Sequence, residues 1–431
     1  MCVATVSICW ECCAIRLSYW LTSAASWGEI PIGSRSVGNL NACSNWGSLL
    51  SLLPSPQAPS QPIYPRRRDF QLEAFRQGDD RIASWQLINT LVPTALLWAS
   101  VPALAAAGAG LRLLLLPVLL LLVLFSARSF ALMHDCGHES LFKTRWINRP
   151  VGFLLGCLNA IPQHPWSRGH AFHHKHNGNW ERYRGPSAVL TLKDYLALSP
   201  RQRWFYGLSR HPLMLFPGGC YYLLVRPRIV LVLGVSEWLA SMASHLGQKG
   251  LAGLAELPAL SRNFSSSHWY TSTEFIDIVA NNLVVLTSWW LMGSWLGHGL
   301  FWSCYLFVMT LSAALFLCFF FVQHNFADSY ASGSKGWDYQ RGALEGSSNL
   351  EMPAILNWFW ADISFHSIHH LCERIPNYRL RACHEVNAAL LADCPRLSLK
   401  DFPSSFRYVL WNSEAKKLLT LAEANMSLGN S

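Results

Sequence analysis

The sequence predicts an all-α, multi-pass membrane protein, and three observations support this fold class. Hydrophobic residues make up 51% of the 431 residues and charged residues only 14%, whereas soluble domains contain roughly 25% charged residues. Several apolar stretches reach the length of about 20 residues that a helix needs to cross a bilayer. Eight of the 16 histidines form three clusters with helical spacing. We expect two helical hairpins, about four transmembrane helices, with a cytoplasmic cap that holds a histidine-rich dimetal site.

The first 62 residues differ from the rest of the chain. They are rich in Ser, Cys and Trp, and Glu11 and Glu29 are their only acidic residues. This composition is typical of a transit peptide, and a disordered extension or a misassigned start are the alternatives. We therefore predict a divergent extension over residues 1–62, a membrane domain over residues 63–395 and a C-terminal tail over residues 396–431.

Four apolar stretches predict the two hairpins. Residues 86–108 and 113–133 form the first pair and are separated near Arg112. Residues 278–296 and 300–322 form the second pair and are separated by a glycine-containing break. Residues 151–161 and 213–225 are also apolar, but they are too short to cross a bilayer and are expected at its surface.

The distribution of basic residues predicts the orientation. Formal net charge is +9, and the loop over residues 134–277 contains 15 Lys and Arg, whereas the two hairpin turns contain one and none. Basic loops stay on the cytoplasmic side of a membrane. We therefore place this loop and both termini in the cytoplasm or its stromal equivalent. No basic stripe with stacking aromatics is present, so nucleic acid is not an expected partner.

The three histidine clusters predict a metal site. They are His134-Asp-Cys-Gly-His138, His170-Ala-Phe-His173-His174 and His366-Ser-Ile-His369-His370. Positions i, i+3 and i+4 share one helix face, so each cluster aims two or three imidazoles at one place. The first two clusters follow the second span and the third follows the fourth, so all three face the same side of the membrane. Eight imidazoles exceed what one ion can hold and suit two ions.

The identity of the metal decides the chemistry, and the spacing leaves it open, because imidazole suits zinc, copper, iron and nickel. Zinc would imply a membrane hydrolase, with Asp135 or Asp362 as a carboxylate base. Iron would imply activation of O2 beside a buried acyl chain. The excess of histidine over carboxylate and the apolar spans favour iron, and a non-catalytic metal binder is the third alternative.

These motifs resemble those of the membrane-bound fatty acid desaturases. Residues 362–371, followed by Arg374-Ile-Pro-Asn-Tyr-Arg-Leu380, are similar to the third histidine box and tail of the omega-6 (delta-12) acyl-lipid desaturases of cyanobacteria and plastids. The first cluster is similar to the H-[DE]-C-G-H box of that class. The resemblance covers roughly residues 70–390. The second cluster and residues 1–62 depart from the familiar pattern.

The resemblance implies an O2-dependent desaturase that introduces a cis double bond, of the delta-12 or omega-6 type, into the acyl chain of a membrane lipid. It implies two iron ions held by the eight clustered histidines and by His324, which follows the fourth span. Electrons would come from an external donor, more readily ferredoxin than a b-type cytochrome. Relatives of the same superfamily, a carotenoid ketolase or hydroxylase or a lipid hydroxylase, are the nearest alternatives.

Several further residues are assigned roles around this site. Carboxylates and amides often accept the second N–H of a ligating imidazole, and the residues proposed for this are Asp135, Asp362, Asn325 and Asn177. A second set of residues is expected in the aromatic belt or the core, with the lining of an acyl tunnel as the alternative, and consists of Trp166, Trp337, Trp358 and Trp360. Basic residues near the site either contact anionic lipid headgroups, in keeping with the positive-inside bias, or dock an acidic electron donor, and they are Arg168, Lys175, Arg182, Arg184 and Arg374. The histidines interpreted as structural are His164, His176, His211, His245, His268, His298 and His384.

Overall fold

The structure, a computed structural model, describes residues 65–183, 187–264, 266 and 268–429. The predicted N-terminal extension, residues 1–62, lies outside the described residues. Helices dominate the part that is described, so the all-α class is confirmed. The strands of the described residues are short and form two small sheets.

Long helices form the membrane region and shorter helices build the cap. In chain order the α-helices are α1 (Asp80–Ala106), α2 (Ala109–Arg112), α3 (Leu115–Gly137), α4 (Arg145–Leu158), α5 (Gln163–Lys175), α6 (Leu192–Leu196), α7 (Pro200–Ser209), α8 (Leu215–Cys220), α9 (Arg226–Lys249), α10 (Leu257–Arg262), α11 (Ser272–Leu296), α12 (His298–Val322), α13 (Tyr339–Leu344), α14 (Ala354–Phe359), α15 (His366–Leu371), α16 (Asn377–Val386), α17 (Phe402–Ser405) and α18 (Leu421–Gly429). The strands are β1 (Leu190–Thr191), β2 (Asn349–Glu351), β3 (Arg396–Ser398), β4 (Tyr408–Asn412) and β5 (Lys417–Thr420).

Both predicted hairpins are present. α1 and α3 form the first, and Asp79 caps the start of α1, because its carboxylate accepts the backbone N–H of Arg81. α11 and α12 form the second, and the chain reverses between them at Gly297, where φ is +82°. Glycine adopts a positive φ without the steric cost that a β-carbon brings. This residue therefore divides one long apolar stretch into two helices.

Residues 213–225 are predicted to be a surface segment too short to cross the bilayer. This prediction is wrong, because they belong to a longer helical segment. Among the described residues, five helical segments are long and apolar enough to span a membrane, and one of them is Pro212–Arg262, with 51 residues. The helix continues beyond the apolar stretch through a π-helical turn at Tyr221–Val225. Arg228 beyond the turn donates a hydrogen bond to the backbone carbonyl of Ala160. Because the Arg228 guanidinium is hydrogen-bonded within the fold, the helix continues past this charged residue.

The position of the histidines restricts how this fifth segment crosses the membrane. The rings of His173 and His370, which lie before and after it in the chain, have centroids 5.0 Å apart. Both must therefore face the same side of the bilayer, so the number of crossings between them is even. The second hairpin accounts for two crossings. Pro212–Arg262 consequently crosses twice or not at all, and in either case the three histidine clusters share one side of the membrane.

The cap is formed by the short helices together with two small sheets. β1 pairs with β4 in parallel and β4 pairs with β5 in antiparallel orientation, while β2 pairs with β3 in parallel. Three of these strands lie in residues 396–431, the predicted C-terminal tail. That segment is therefore hydrogen-bonded to the cap by residues far apart in sequence.

A buried apolar core connects the membrane helices to the cap. Its fully buried members include Leu132 and Met133 in α3, Leu155 in α4 and Phe301 in α12. Packing of this kind holds neighbouring helices in one fixed arrangement. The last turn of α3, which carries the first histidine cluster, is thereby held at the base of the cap.

Candidate metal centre

Four helix ends bring the histidines together. The first cluster occupies the last turn of α3, the second the last turns of α5, and the third forms most of α15, while His324 follows the end of α12. All nine side chains are buried, with at most 8% of any residue exposed. The spacing of three and four residues therefore places the imidazoles of each helix on the face that points into the buried site.

The ring nitrogens separate into two neighbouring groups. The first group, whose ligand atoms all lie within 4.8 Å of one another, consists of His134, His138, His170, His174 and His369. The second consists of His173, His324 and His370. His366 adjoins this second group, because its Nε2 lies 3.1 Å from the Nε2 atoms of both His324 and His370. The two groups touch where the rings of His174 and His370 stack with centroids 4.2 Å apart.

The donor atoms fit metal ions. Two nitrogens at right angles, each about 2.1 Å from an ion, lie about 3.0 Å apart, and the Nε2 atoms of His170 and His174 are 3.0 Å apart. Within the described residues, both ring nitrogens of His173 and of His369 are buried without a hydrogen-bond partner. Leaving such atoms unpaired is costly. A bound ion would satisfy one nitrogen of each ring.

The protonation state also suits metal binding. Burial, reinforced by repulsion between neighbouring imidazoles, lowers the pKa of the three imidazoles of α5 and the three of α15 well below the ordinary histidine value. Burial also lowers the pKa of His324 to about 4, although a hydrogen bond with Gly346 opposes the shift. These rings are neutral at physiological pH, and a neutral imidazole is the form that ligates a metal.

The four residues proposed as partners of ligating imidazoles lie in different surroundings. Asp135 lies nearest, since its Oδ1 is 3.1 Å from Nδ1 of His134 and its Oδ2 accepts the backbone N–H and the side-chain N–H of Asn377. Asn177 donates to the carbonyl of Gly346, which also accepts the Nδ1–H of His324 at 3.0 Å.

The other two proposed partners bond elsewhere. Asp362 accepts a hydrogen bond from Arg381 at 2.9 Å. Asn325 donates to the backbone carbonyl of Tyr408 at 3.1 Å. In the described contacts, the hydrogen bonds of both residues thus go to groups other than the imidazoles.

Glu373 is a site residue that the sequence analysis missed. Its Oε2 lies 3.4 Å from Nδ1 of His138 and 3.9 Å from Nδ1 of His174. Its side chain is 41% exposed, so it joins the first imidazole group to the surface. The signal in the sequence is its position three residues after His370, because a carboxylate beside a histidine cluster is a potential partner of a ligating imidazole.

The histidines interpreted as structural lie outside both groups. His176 donates from Nδ1 to the carbonyl of Phe172 at 3.0 Å. His245 and His268 pair with glutamates, at 3.1 and 3.2 Å. His211 accepts the backbone N–H of Leu213. The remaining three, His164, His298 and His384, are also absent from the two groups of ligand atoms.

An apolar pocket adjoins the imidazoles on the membrane side. Its lining includes Ala127 and Ala131 of α3, Phe316 and Phe320 of α12, and the histidines His134, His170 and His366. Small side chains on one helix face aromatic rings on the other, so the space is narrow and without charge. Such a lining suits contact with a methylene segment and disfavours water.

The four tryptophans proposed for a tunnel occupy different places. Trp360 lines the pocket and stacks on Phe319 with centroids 3.8 Å apart. Trp166 stacks on His170 at 4.8 Å. The other two lie beside different residues, Trp337 with its indole donating to the carbonyl of Asn177 and Trp358 beneath the guanidinium of Arg128.

A polar depression lies at the surface beside His174. Its lining includes Arg67, Arg76, Lys175, Tyr339, Glu373 and Arg374. Lys175 and Arg374 were proposed for donor docking, and the structure places both here. Arg168 instead forms an ion pair with Glu274, Arg182 is exposed, and Arg184 lies outside the described residues.

Comparison with known proteins relates most of the chain to one type of enzyme. A family model for fatty acid desaturases matches residues 110–400. A fatty acid desaturase of Bacillus subtilis is 28% identical over 356 residues, which cover 81% of this chain and 89% of that protein. An sn-1 oleoyl-lipid 12-desaturase of Synechocystis is 25% identical over 267 residues, 59% of this chain and 63% of that protein. An sn-1 acyl-lipid omega-3 desaturase (ferredoxin) of Nostoc is 24% identical over 294 residues, 66% and 69% respectively. The matched range contains every histidine of the two groups.

Proposed function

The chain belongs to the fatty acid desaturase family, and on this premise we propose that it introduces a cis double bond into the acyl chain of a membrane lipid, at the delta-12 or omega-6 position, in an O2-dependent reaction at a di-iron centre. The observation that carries the proposal is the contact between two groups of buried imidazoles and an apolar pocket at the end of the membrane helices. The relative in Synechocystis, by its name a 12-desaturase of oleoyl lipids, supports the position.

The two imidazole groups would each hold one ion. The first would use His134, His138, His170, His174 and His369, and the second would use His173, His324, His366 and His370. Iron bound there would supply the oxygen-activating redox chemistry that cleavage of an unactivated C–H bond requires. Some catalytic zinc sites include a glutamate ligand, and neither imidazole group includes a carboxylate among its ligand atoms.

The residues of the chain orient the substrate and the ligands. His134, His170 and His366 belong to the imidazole groups and also line the apolar pocket. A methylene group bound in the pocket would therefore lie against the ligands. Asp135 holds the ring of His134 in one orientation through Nδ1, which leaves Nε2 for the ion. The aromatic wall of α12 excludes water from the acyl chain.

Lipid analysis of a host that expresses the full chain tests the proposed function. We would express it in a cyanobacterium that lacks delta-12 activity and profile its fatty acids by gas chromatography–mass spectrometry. A new 18:2 or 16:2 acyl chain, with its double bonds located, is the expected result. An unchanged profile with the protein present in the membrane would contradict the proposal. An oxygenated lipid or pigment would indicate a hydroxylase or ketolase, and zinc in the purified protein without O2 consumption would indicate a hydrolase.

The electron donor is proposed to be ferredoxin or a similar acidic protein that docks at the polar depression beside His174. The depression lies on the side of the basic loop, which is predicted from the charge distribution to face the cytoplasm or stroma. Four basic residues line it, Arg67, Arg76, Lys175 and Arg374. A relative in Nostoc whose name specifies ferredoxin supports this choice.

Charge reversal at Lys175 and Arg374 tests the docking. The double variant is expected to need about tenfold more donor for half-maximal rate at low salt, because opposite charges attract the donor and orient its approach. The rate at saturating donor should change little. Donor titration with the membrane-bound enzyme measures both quantities. Lys193→Glu, an exposed lysine away from the depression, is the control, and an equal effect of this control would count against the docking site.

A further inference from the structure

Arg128 is a buried charge inside a membrane-spanning helix. It lies in α3, six residues before His134, and only 1% of it is exposed. An ionisable residue inside a membrane segment is expensive and generally serves a specific purpose. Arg128 is not one of the residues that line the imidazole groups or the apolar pocket. Its role must therefore be exerted through the groups that it contacts.

The guanidinium joins two membrane helices to the cap. Its Nε donates to the hydroxyl of Thr90 at 3.0 Å and its Nη2 lies 3.5 Å from Oδ1 of Asn89, both in α1. Its Nη1 donates to the backbone carbonyl of Trp358 in α14. The guanidinium carbon also lies 3.7 Å above the centre of the Trp358 ring, a cation–π contact. The end of α14 is thus held against α1 and α3 by one side chain.

The turn that follows α14 needs such support. Ala361 and Asp362 both adopt the left-handed region, with φ of +49° and +51°. Residues with a β-carbon occupy this region at a cost and remain there only when their surroundings enforce it. On the far side of the turn, Arg381 donates to Asp362 at 2.9 Å. The strained turn is therefore held from the membrane side by Arg128 and from the cap side by Arg381.

The same turn forms part of the pocket wall. Trp360 and Ile363, on either side of the two strained residues, line the apolar pocket beside His366. A shift of this turn would move both side chains relative to the imidazoles. Because the wall decides how far a chain can enter, it also decides which carbon lies against the ligands.

We propose that Arg128 is a positioning residue for substrate selection, which holds the turn after α14 and thereby sets the acyl chain length and the carbon at which the double bond is placed. The inference rests on the proposed desaturase function and deepens it. Arg128 lies outside the pocket and, on this proposal, controls the shape of the pocket.

Arg128→Met tests the proposal in the full-length, membrane-bound enzyme. Methionine keeps much of the length and removes the hydrogen bonds, so the turn is released without an unpaired buried charge. We expect the ratio of C18 to C16 products to change at least about fivefold, or new positional isomers to appear, while metal per chain stays at the wild-type value. Arg128→Lys, which keeps the charge but has a single donor group, should give a smaller change in the same direction.

Two further variants keep the test decisive. Arg228→Met removes another arginine of a membrane segment that donates to a backbone carbonyl and lies near a tryptophan ring, at 5.1 Å from Trp289, but outside the pocket lining. It should lower the amount of folded protein without changing the product ratio. Thr90→Val, which removes one acceptor of Arg128 from a different helix, should shift the ratio slightly even if Arg128→Met does not fold.

The outcomes separate the two proposals. Wild-type product ratios in both Arg128→Met and Thr90→Val, at normal metal content, would overturn the role of Arg128. An equal shift in Arg228→Met would also overturn it, because the effect would then be general loss of packing. Absence of any desaturated product from the wild-type chain would instead overturn the proposed function.

Discussion

His369→Ala is expected to abolish desaturation and to reduce the metal content of the purified protein. The residue is completely buried in the first imidazole group, and its ring lies 4.6 Å from that of His134 and 4.5 Å from that of His174, between centroids. Loss of a ligand empties or distorts a site whose remaining donors are held by the fold. The decrease should exceed the roughly 10- to 100-fold that follows removal of a ligand's hydrogen-bond partner. Elemental analysis and acyl-lipid profiling measure the two effects.

A histidine outside both groups provides the control. His211 accepts a backbone N–H at the start of a short helical turn, so His211→Ala should cost about 1 kcal/mol of stability, as loss of a helix cap does. Its metal content and activity per folded chain should match the wild type. Full activity and full metal content in His369→Ala would refute a single site assembled from the three clusters.

Asp135→Ala is expected to weaken metal binding about 10- to 100-fold. The carboxylate contacts Nδ1 of His134 through one oxygen and two N–H groups of Asn377 through the other. Its removal frees the ring of His134 to rotate and leaves the N–H groups of Asn377 without their buried acceptor. Competition with a chelator of known affinity measures the change, and activity at saturating iron should recover in part.

Asp362→Asn distinguishes this role from a general effect of lost charge. Asp362 also neighbours a cluster in sequence, but it pairs with Arg381, and partly exposed ion pairs contribute about 0–1 kcal/mol. We expect its metal affinity to equal that of the wild type. If Asp362→Asn weakened metal binding as much as Asp135→Ala, orientation of His134 would no longer explain the effect.

The sequence by itself determined the features that depend on neighbouring residues. An apolar run of sufficient length forms a membrane helix whatever surrounds it, so both hairpins and the break at Gly297 were predicted. Spacings of three and four residues align side chains on one face of a helix, so the sequence predicts the three clusters without knowledge of any contact. The same local pattern could not show where the helix of Pro212–Arg262 ends, because Arg228 is compensated by Ala160, which is distant in sequence.

Only the tertiary structure decided how these parts are combined. His173 and His174 are adjacent in the chain, yet they belong to different imidazole groups, because successive residues of a helix point about 100° apart. Asp135 meets Asn377 across 242 positions and Arg128 meets Trp358 across 230. Glu373 joins the site through contacts with His138 and His174, which are both distant from it in sequence. Periodicity reveals which residues share a face of one helix, whereas the partners of that face depend on how distant helices pack.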